Sequence, residues 1–476
     1  VDLSQFFIMR HEVLLLAVII LILLMEIFVG KANRKAIIPV SIGLFLLSTL
    51  AGFLPAESGQ LFGDMYRTNG LIVSMKNILN IGVLIVMLLS AEWLRKEENL
   101  DKVSEYYLIM LSTLVGMFYM ISSGDFLMFY LGLELASIPM AALAAYDKFR
   151  NSSAEAGIKF IFSSALSSGV LLYGLSMIYA STGSIYFTEV AAHMGEQPLQ
   201  VLGFIFFLAG MGFKISLVPF HFWTADVYEG APISVTSYLS VISKGAAIFI
   251  FSIVLFSVFP MLEPLWQELL YVLAILTMTL ANLFAVRQNN IKRFLAFSSI
   301  AQAGFILLGI MGGPHLGLTT VVYFILVYVF TNLGAFGVAI SISDKTGKEN
   351  INDYNGLYKT NPMLSLTMML ALFSLAGIPP VAGFFGKFFL FTSAASKGYY
   401  ILVLIAVLNA TISLYYYLRV VKAMFIEKSD HPIAPFRSSL STRMALALCV
   451  AGTFAVGFIS WIYEYLYDMT YLLFIF

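Results

Sequence analysis

Charge is what this chain has least of. Only 11% of its 476 residues are Asp, Glu, Lys or Arg, while 60% are hydrophobic. A soluble protein of that length needs far more charge to cover its surface, so lipid is the expected solvent. Cysteine is almost absent as well: Cys449 stands alone in an apolar run. That excludes a disulfide framework, a thiolate zinc site and iron–sulfur ligation within the chain. The five histidines (His11, His193, His221, His315, His431) are scattered, with no two at metal-ligand spacing. Lys+Arg and Asp+Glu are both 27, so no overall field points to nucleic acid. No segment is low-complexity, and no phosphate-cradling glycine loop follows a strand pattern. The longest stretches between apolar runs, Pro55–Gly70 and Ser181–Leu199, are too short to fold as separate domains.

What remains is apolar runs of spanning length. A bilayer core needs roughly 20 apolar residues per helix. Segments that meet this need are Val13–Val29, Ile37–Leu54, Leu71–Ala91, Tyr106–Ser122, Phe126–Tyr146, Ile158–Tyr179 and Val201–Phe222. They continue with Ile233–Phe259, Leu269–Val286, Phe294–Met311, Leu318–Ile340, Met363–Ser393, Ile401–Val421 and Met444–Tyr463. The sequence therefore predicts an all-α polytopic membrane protein of about fourteen helices, the first read as a retained span. If loops alternate between the two sides, twenty of the 27 Lys and Arg fall on one side and three, Arg10, Arg67 and Lys397, on the other. The positive-inside rule then places both termini on the non-cytoplasmic side.

Four lysines belong to neither side because they lie within spans: Lys76, Lys214, Lys244 and Lys387. A charge at mid-bilayer costs about 2.5–3.5 kcal/mol on insertion scales and reads as functional by default. Glu134 is near the centre of Phe126–Tyr146 and Lys244 in the middle of Ile233–Phe259. Lys214 precedes Pro219, and Lys387 follows Pro379-Pro380 in a run too long for one straight span. Both segments are expected to break, and broken helices at membrane depth are tolerated where they line a polar cavity. The two are five spans apart, so they cross in opposite directions, as an inverted repeat of spans four to eight and nine to thirteen requires. Lys76 is near the end of its span, where snorkelling and function are both open readings. Glu26, close to Lys31, is expected to snorkel. His221, Asp226 and Glu229 read as a solvated loop, with a proton inlet as the alternative. Gln302 is left open, and Asn332 reads as helix packing.

Lysine suits proton transfer once it is buried. In water its pKa is about 10.4, burial can bring it to roughly 5–6, and a nearby carboxylate acts in the opposite sense. A Glu–Lys pair in a low-dielectric site is thus a switch, with Glu134 and Lys214 the natural partners and Lys244 and Lys387 onward stations. Ser, Tyr and water would bridge the gaps. The competing reading is a set of structural ion pairs.

These residues sit in recognisable blocks: FYLGLELASIP, EAGIKFIFSSALSSGVLLYGLSMIYASTGS, GFKISLVPFHFWTADVYEGAPISVTSYLSVISKGAA, IKRFLAFSSIAQAGF, NDYNGLYKTNP, LAGIPPVAGFFGKF and YYYLRVVKAMF. In that order they resemble the antiporter-like membrane subunits of respiratory complex I, NADH–quinone oxidoreductase. The likeness runs from about Tyr106 to Lys428, and the PFHFWTADVYEGAP and SKGAA blocks resemble subunit N (subunit 2) more than its sisters L and M. A lysine at 387 agrees with subunit N, where subunit M has a glutamate. The chain also ends soon after its fourteenth span, without the long lateral helix of subunit L.

The resemblance implies two inverted five-helix repeats with discontinuous seventh and twelfth helices. It divides the chain into 1–105, 106–259, 260–428 and 429–476. It carries proton-transfer roles onto Glu134, Lys214, Lys244 and Lys387, with Lys76, His221 and Gln302 as possible accessories. Gln302 stands where relatives often have histidine, and glutamine cannot titrate, so a relay there would need water. No cofactor is expected in this chain; NADH, FMN, iron–sulfur clusters and quinone would belong to partner subunits. Other complex I membrane subunits are the expected partners, with the quinone module reached indirectly, in a bacterial inner membrane. Two rival readings are a subunit of a multi-subunit cation/proton antiporter and a non-transporting membrane scaffold.

Overall fold

The structure, a computed structural model, describes residues 4–55 and 58–473. Ala56 and Glu57, in the stretch Pro55–Gly70, and the side chain of Lys31 lie outside the described residues. Thirteen described helices are long and apolar enough to cross a membrane. The remaining expected segment, the twelfth, Met363–Ser393, is two shorter helices, Pro362–Ala376 and Ala382–Ser396, interrupted where the two prolines suggested. Helices dominate because lipid offers no hydrogen-bond partner, so each segment must satisfy its own backbone. Their ends carry ordinary capping chemistry: Asp125 accepts from Met128 N, Asn290 from Lys292 N and Arg293 N, and Ser439 from Thr442 N.

The first spanning helix begins at Arg10, three residues before the expected span, which brings His11 and Glu12 inside it. The expected loop 55–70 contains an antiparallel hairpin, Gly59–Leu61 with Tyr66–Thr68. A second difference concerns Asp226 and Glu229. They were expected in a solvated loop and instead lie in a helix, Phe222–Gly230, whose Trp223, Thr224, Val227 and Tyr228 are buried. The acidic residues suggested water, but only one side of this short helix carries them, and Arg293 bonds both, at 2.7 Å to Asp226 and 2.8 Å to Glu229.

The chain forms two compact units. The first comprises Val1–Leu84, Leu94–Ser216 and Ser243–Leu269. One close crossing joins Val103–Ile121 to Phe126–Ala144. A Cβ on Gly116 would lie 2.5 Å from Ala136 N, and one on Gly132 2.6 Å from Met120 N, so only glycine lets these backbones approach. Phe126, Phe204, Phe207 and Phe259 pack their rings together beside that crossing. The second unit comprises Ile85–Trp93, Leu217–Ile242 and Leu270–Phe476. Ile291–Met311 and Leu316–Thr346 are its buried axis, while Tyr400–Phe425 leaves most of its surface outward. A helix so thoroughly buried needs no amphipathic stripe, which is why these runs are apolar all round.

Candidate functional site

In the first unit, Lys214 lies in the last turn of Pro198–Ile215, where the helix stops. Ser216 adopts the left-handed conformation with φ 68°, uncommon outside glycine, and the chain turns through 217–221 before Phe222 restarts a helix. The seventh span is therefore broken, as its proline suggested. Lys214 Nζ donates to Ser137 Oγ, one turn beyond Glu134 on Phe126–Ala144. Glu134 is half-buried among outward-facing Leu131, Leu135 and Ile138. Tyr130, one turn earlier, interacts with it, and among the described residues its Oε1 has no hydrogen-bond partner.

Lys244 is buried at the start of Lys244–Ser257, directly after a widened π-helical stretch, Leu239–Ser243. Such insertions cluster at functional sites because they re-aim the side chains that follow. Nothing in the composition foretold it.

Lys76 does not snorkel. It is fully buried, 2.5 Å from Glu12 Oε1 and 3.0 Å from the Tyr66 hydroxyl, with Phe118 beneath its ammonium. Tyr66 also donates to Glu12 Oε2 at 3.0 Å. Glu12 and Tyr66 were missed: the carboxylate sits at a span edge, where one is ordinary, and its partner lies 64 residues away. Glu26 does not simply reach for water either, since it pairs with Arg34 at 2.8 Å and accepts from Ser104.

In the second unit, Pro362–Ala376 ends at Gly377, φ 88°, and the chain restarts at Ala382. The two halves touch closely: a Cβ on Gly383 would lie 1.7 Å from Ser374 O. Lys387 reaches back across this break. Its Nζ donates to Ala376 O at 3.1 Å, the last carbonyl of the first half, and lies 4.6 Å from the centre of the Phe305 ring. A helix C-terminus carries roughly half a negative charge, so the break supplies a partial counter-ion.

Beside Lys387 is a cavity of about 10 Å³, lined by Gln302, Tyr328, Thr331 and Ser374, about the room one water needs. Gln302 Nε2 donates to Leu375 O at 3.2 Å and to the Tyr417 hydroxyl at 3.3 Å, and its Oε1 has no partner among the described residues. Tyr417 and Ser298 are bonded at 2.6 Å. Asn332, expected to pack helices, donates to Ser240 Oγ at 2.8 Å and to Tyr328 at 2.9 Å. His221, expected in a solvated loop, is instead buried in the turn just before Phe222–Gly230, its ring 4.6 Å from that of Phe222. Tyr328, Tyr417, Ser240 and Ser298 were not singled out from sequence. The available signal was hydroxyls inside apolar runs, which must find partners when buried.

A family model described as "NADH:quinone oxidoreductase/Mrp antiporter, TM" matches residues 123–413. The NADH-quinone oxidoreductase subunit N of Phocaeicola vulgatus is 50% identical over 98% of this chain and 99% of its own length. The chain belongs to the NADH-quinone oxidoreductase subunit N family. The subunit N of Azobacteroides pseudotrichonymphae is 48% identical over 99% of each chain. Among solved structures, a chain of respiratory complex I from Thermus thermophilus superposes with a TM-score of 0.78 at 28% identity, over 95% of this chain and 98% of that one. A chain of the Mrp complex from Dietzia sp. superposes at 0.85 with 20% identity, covering 99% and 97%, and shares the fold. Subunit N family membership thus agrees with the resemblance read from the blocks around Glu134, Lys214, Lys244 and Lys387.

Proposed function

We propose that this chain is a proton-translocating membrane subunit of a bacterial NADH–quinone oxidoreductase, seated among other membrane subunits of that complex. The observation that carries the reading is the coincidence of buried lysines with broken helices: Lys214 and Lys387 each stand at an interruption in a family member of this kind. NADH oxidation, flavin, iron–sulfur clusters and quinone reduction belong in this reading to the partner subunits, and the chain sits in the inner membrane with both termini outside the cytoplasm.

Within the chain, Glu134 is the receiving end. It is half-buried on an outward face, so a neighbouring subunit can alter its surroundings. When its charge is held near Lys214, the ammonium keeps its proton; when that charge is displaced, the neutral Ser137 hydroxyl is the contact that remains and the proton moves on. Lys244 in the 106–259 repeat and Lys387 in the 260–428 repeat are further stations. Gln302 takes part by holding a water between its free Oε1 and Lys387, and His221 serves the break in the seventh span. Lys76, paired to Glu12, is a fixed tie rather than a carrier.

NADH-driven proton uptake into inverted membrane vesicles tests this, comparing wild type with Lys244→Met after native-gel confirmation of assembly. Loss of uptake in an assembled complex is the expected result. Unchanged uptake overturns the station assignment, and uptake that follows sodium rather than NADH overturns the complex I reading itself.

A further inference from the structure

A groove of about 610 Å³ opens in the second unit between the first turns of Pro362–Ala376 and the first half of Leu440–Phe458. Its upper wall is the segment Phe436–Ser438, which is held in place rather than draped. Asn361 Nδ2 donates to Ala434 O at 3.2 Å, and Asn361 Oδ1 accepts from Phe436 N at 3.1 Å. That clamp fixes Arg437 at the mouth, and Arg443 stands beside it in the first turn of Leu440–Phe458. Both side chains are exposed. The fourteen lining residues include these two arginines and no carboxylate, so the lining itself carries a charge of plus two.

Below the mouth the chemistry changes completely. Leu446, Val450 and Ala451 follow one another down one helix, and Met363 and Leu364 face them from the other. Leu446 and Val450 are four residues apart, just over one helical turn, so the apolar wall runs about 6 Å along the helix between them, away from the arginines. A cationic mouth over an apolar slot matches an amphiphile with an anionic head and hydrocarbon tails. Both flanking helices also begin here, at Pro362 and Leu440, and helix N-termini favour anions. Arginine is the side chain best shaped to grip a phosphate with two parallel bonds.

We propose that this groove binds an anionic phospholipid, its phosphate on Arg437 and Arg443 and its acyl chains along Met363, Leu446 and Val450. Charge decides against the other occupants. An apolar helix of a partner would bury two unpaired guanidinium groups, and a zwitterionic lipid answers only part of their charge. The arginines lie on the side the sequence marks as positive, where basic pockets between spanning helices meet anionic headgroups.

The test uses the whole complex reconstituted in phosphatidylcholine vesicles doped with phosphatidylglycerol bearing a photoreactive group in its acyl chain. Labelled peptides are read by mass spectrometry, with a matched phosphatidylcholine probe in parallel. Phosphatidylglycerol is expected to label peptides spanning 362–367 and 444–451 several-fold more than phosphatidylcholine. Arg437→Gln with Arg443→Gln should reduce that labelling to the phosphatidylcholine level, while Arg437→Lys with Arg443→Lys keeps most of it. Labelling of the outward-facing Phe162 and Leu166 should be the same in every variant and reports a folded, lipid-exposed chain. Equal labelling by both lipids overturns the proposal. So does labelling that survives the glutamine pair, labelling abolished by inorganic phosphate, which would mark a free-anion site, or crosslinks from these peptides only to another subunit. If the glutamine pair fails to assemble, the two-lipid comparison in wild type still decides.

Discussion

Lys76 and Lys387 are both buried lysines in apolar helices, and the chain surrounds them with opposite chemistry. Lys76 lies in an unbroken helix, Gly70–Leu94, and meets a full carboxylate and a phenol. Lys387 stands beside an interruption and meets a backbone carbonyl, an aromatic face and a water-sized space. A buried pair whose partners are both fully charged holds its geometry, because separating them leaves a bare ion in a low dielectric. A lysine held by partial charges carries no such penalty for giving up its proton. Burial of a lysine in a membrane therefore does not by itself separate a structural tie from the carrier proposed at Lys387; the chemistry of the partner is what differs.

Breaking the Lys76 side should have the largest effect. Glu12→Gln strands a buried ammonium, a change that costs about 3–5 kcal/mol. We expect loss of assembled complex on native gels, with Glu12→Leu combined with Lys76→Met restoring much of it. Failure of the double variant to restore assembly would show that the pair does more than tie helices. Next, Lys387→Met should leave assembly intact and remove most NADH-driven proton uptake, the reverse pattern. If instead it behaves like Glu12→Gln, the contrast between the two lysines collapses. Gln302→Leu should act more mildly, since it removes two long hydrogen bonds and the anchor for a water. A stability loss of about 1–3 kcal/mol is expected from the buried groups left without partners, with partial loss of uptake and assembly retained. At the small end, Lys159→Gln opens the exposed pair with Glu155 and should change stability by less than about 1 kcal/mol and uptake not at all.

The four transport candidates were legible because a charge inside an apolar run stands out against its neighbours, and the breaks were legible because proline cannot donate the bond a helix needs. Those signals are local. Glu12 escaped because its meaning depends on Lys76, far along the chain and visible only once the first helix packs against the hairpin and Gly70–Leu94. The π-helical stretch before Lys244 escaped for another reason: a widened turn alters hydrogen-bond register and leaves the residue types unchanged. Asp226 and Glu229 were misread because acidic side chains near a span end usually signal solvent, whereas here one guanidinium, Arg293, gathers both.

The carbonyl of Ala376 gives Lys387 a neighbour that never changes its own ionic state. A carboxylate there would bind and release protons with the acidity of whichever compartment it touched, and would carry that history into the next turnover. The half-charge at a helix end is constant. The station proposed at Lys387 thus has its reference written into the backbone, where external acidity cannot reset it and where most side-chain substitutions leave it standing.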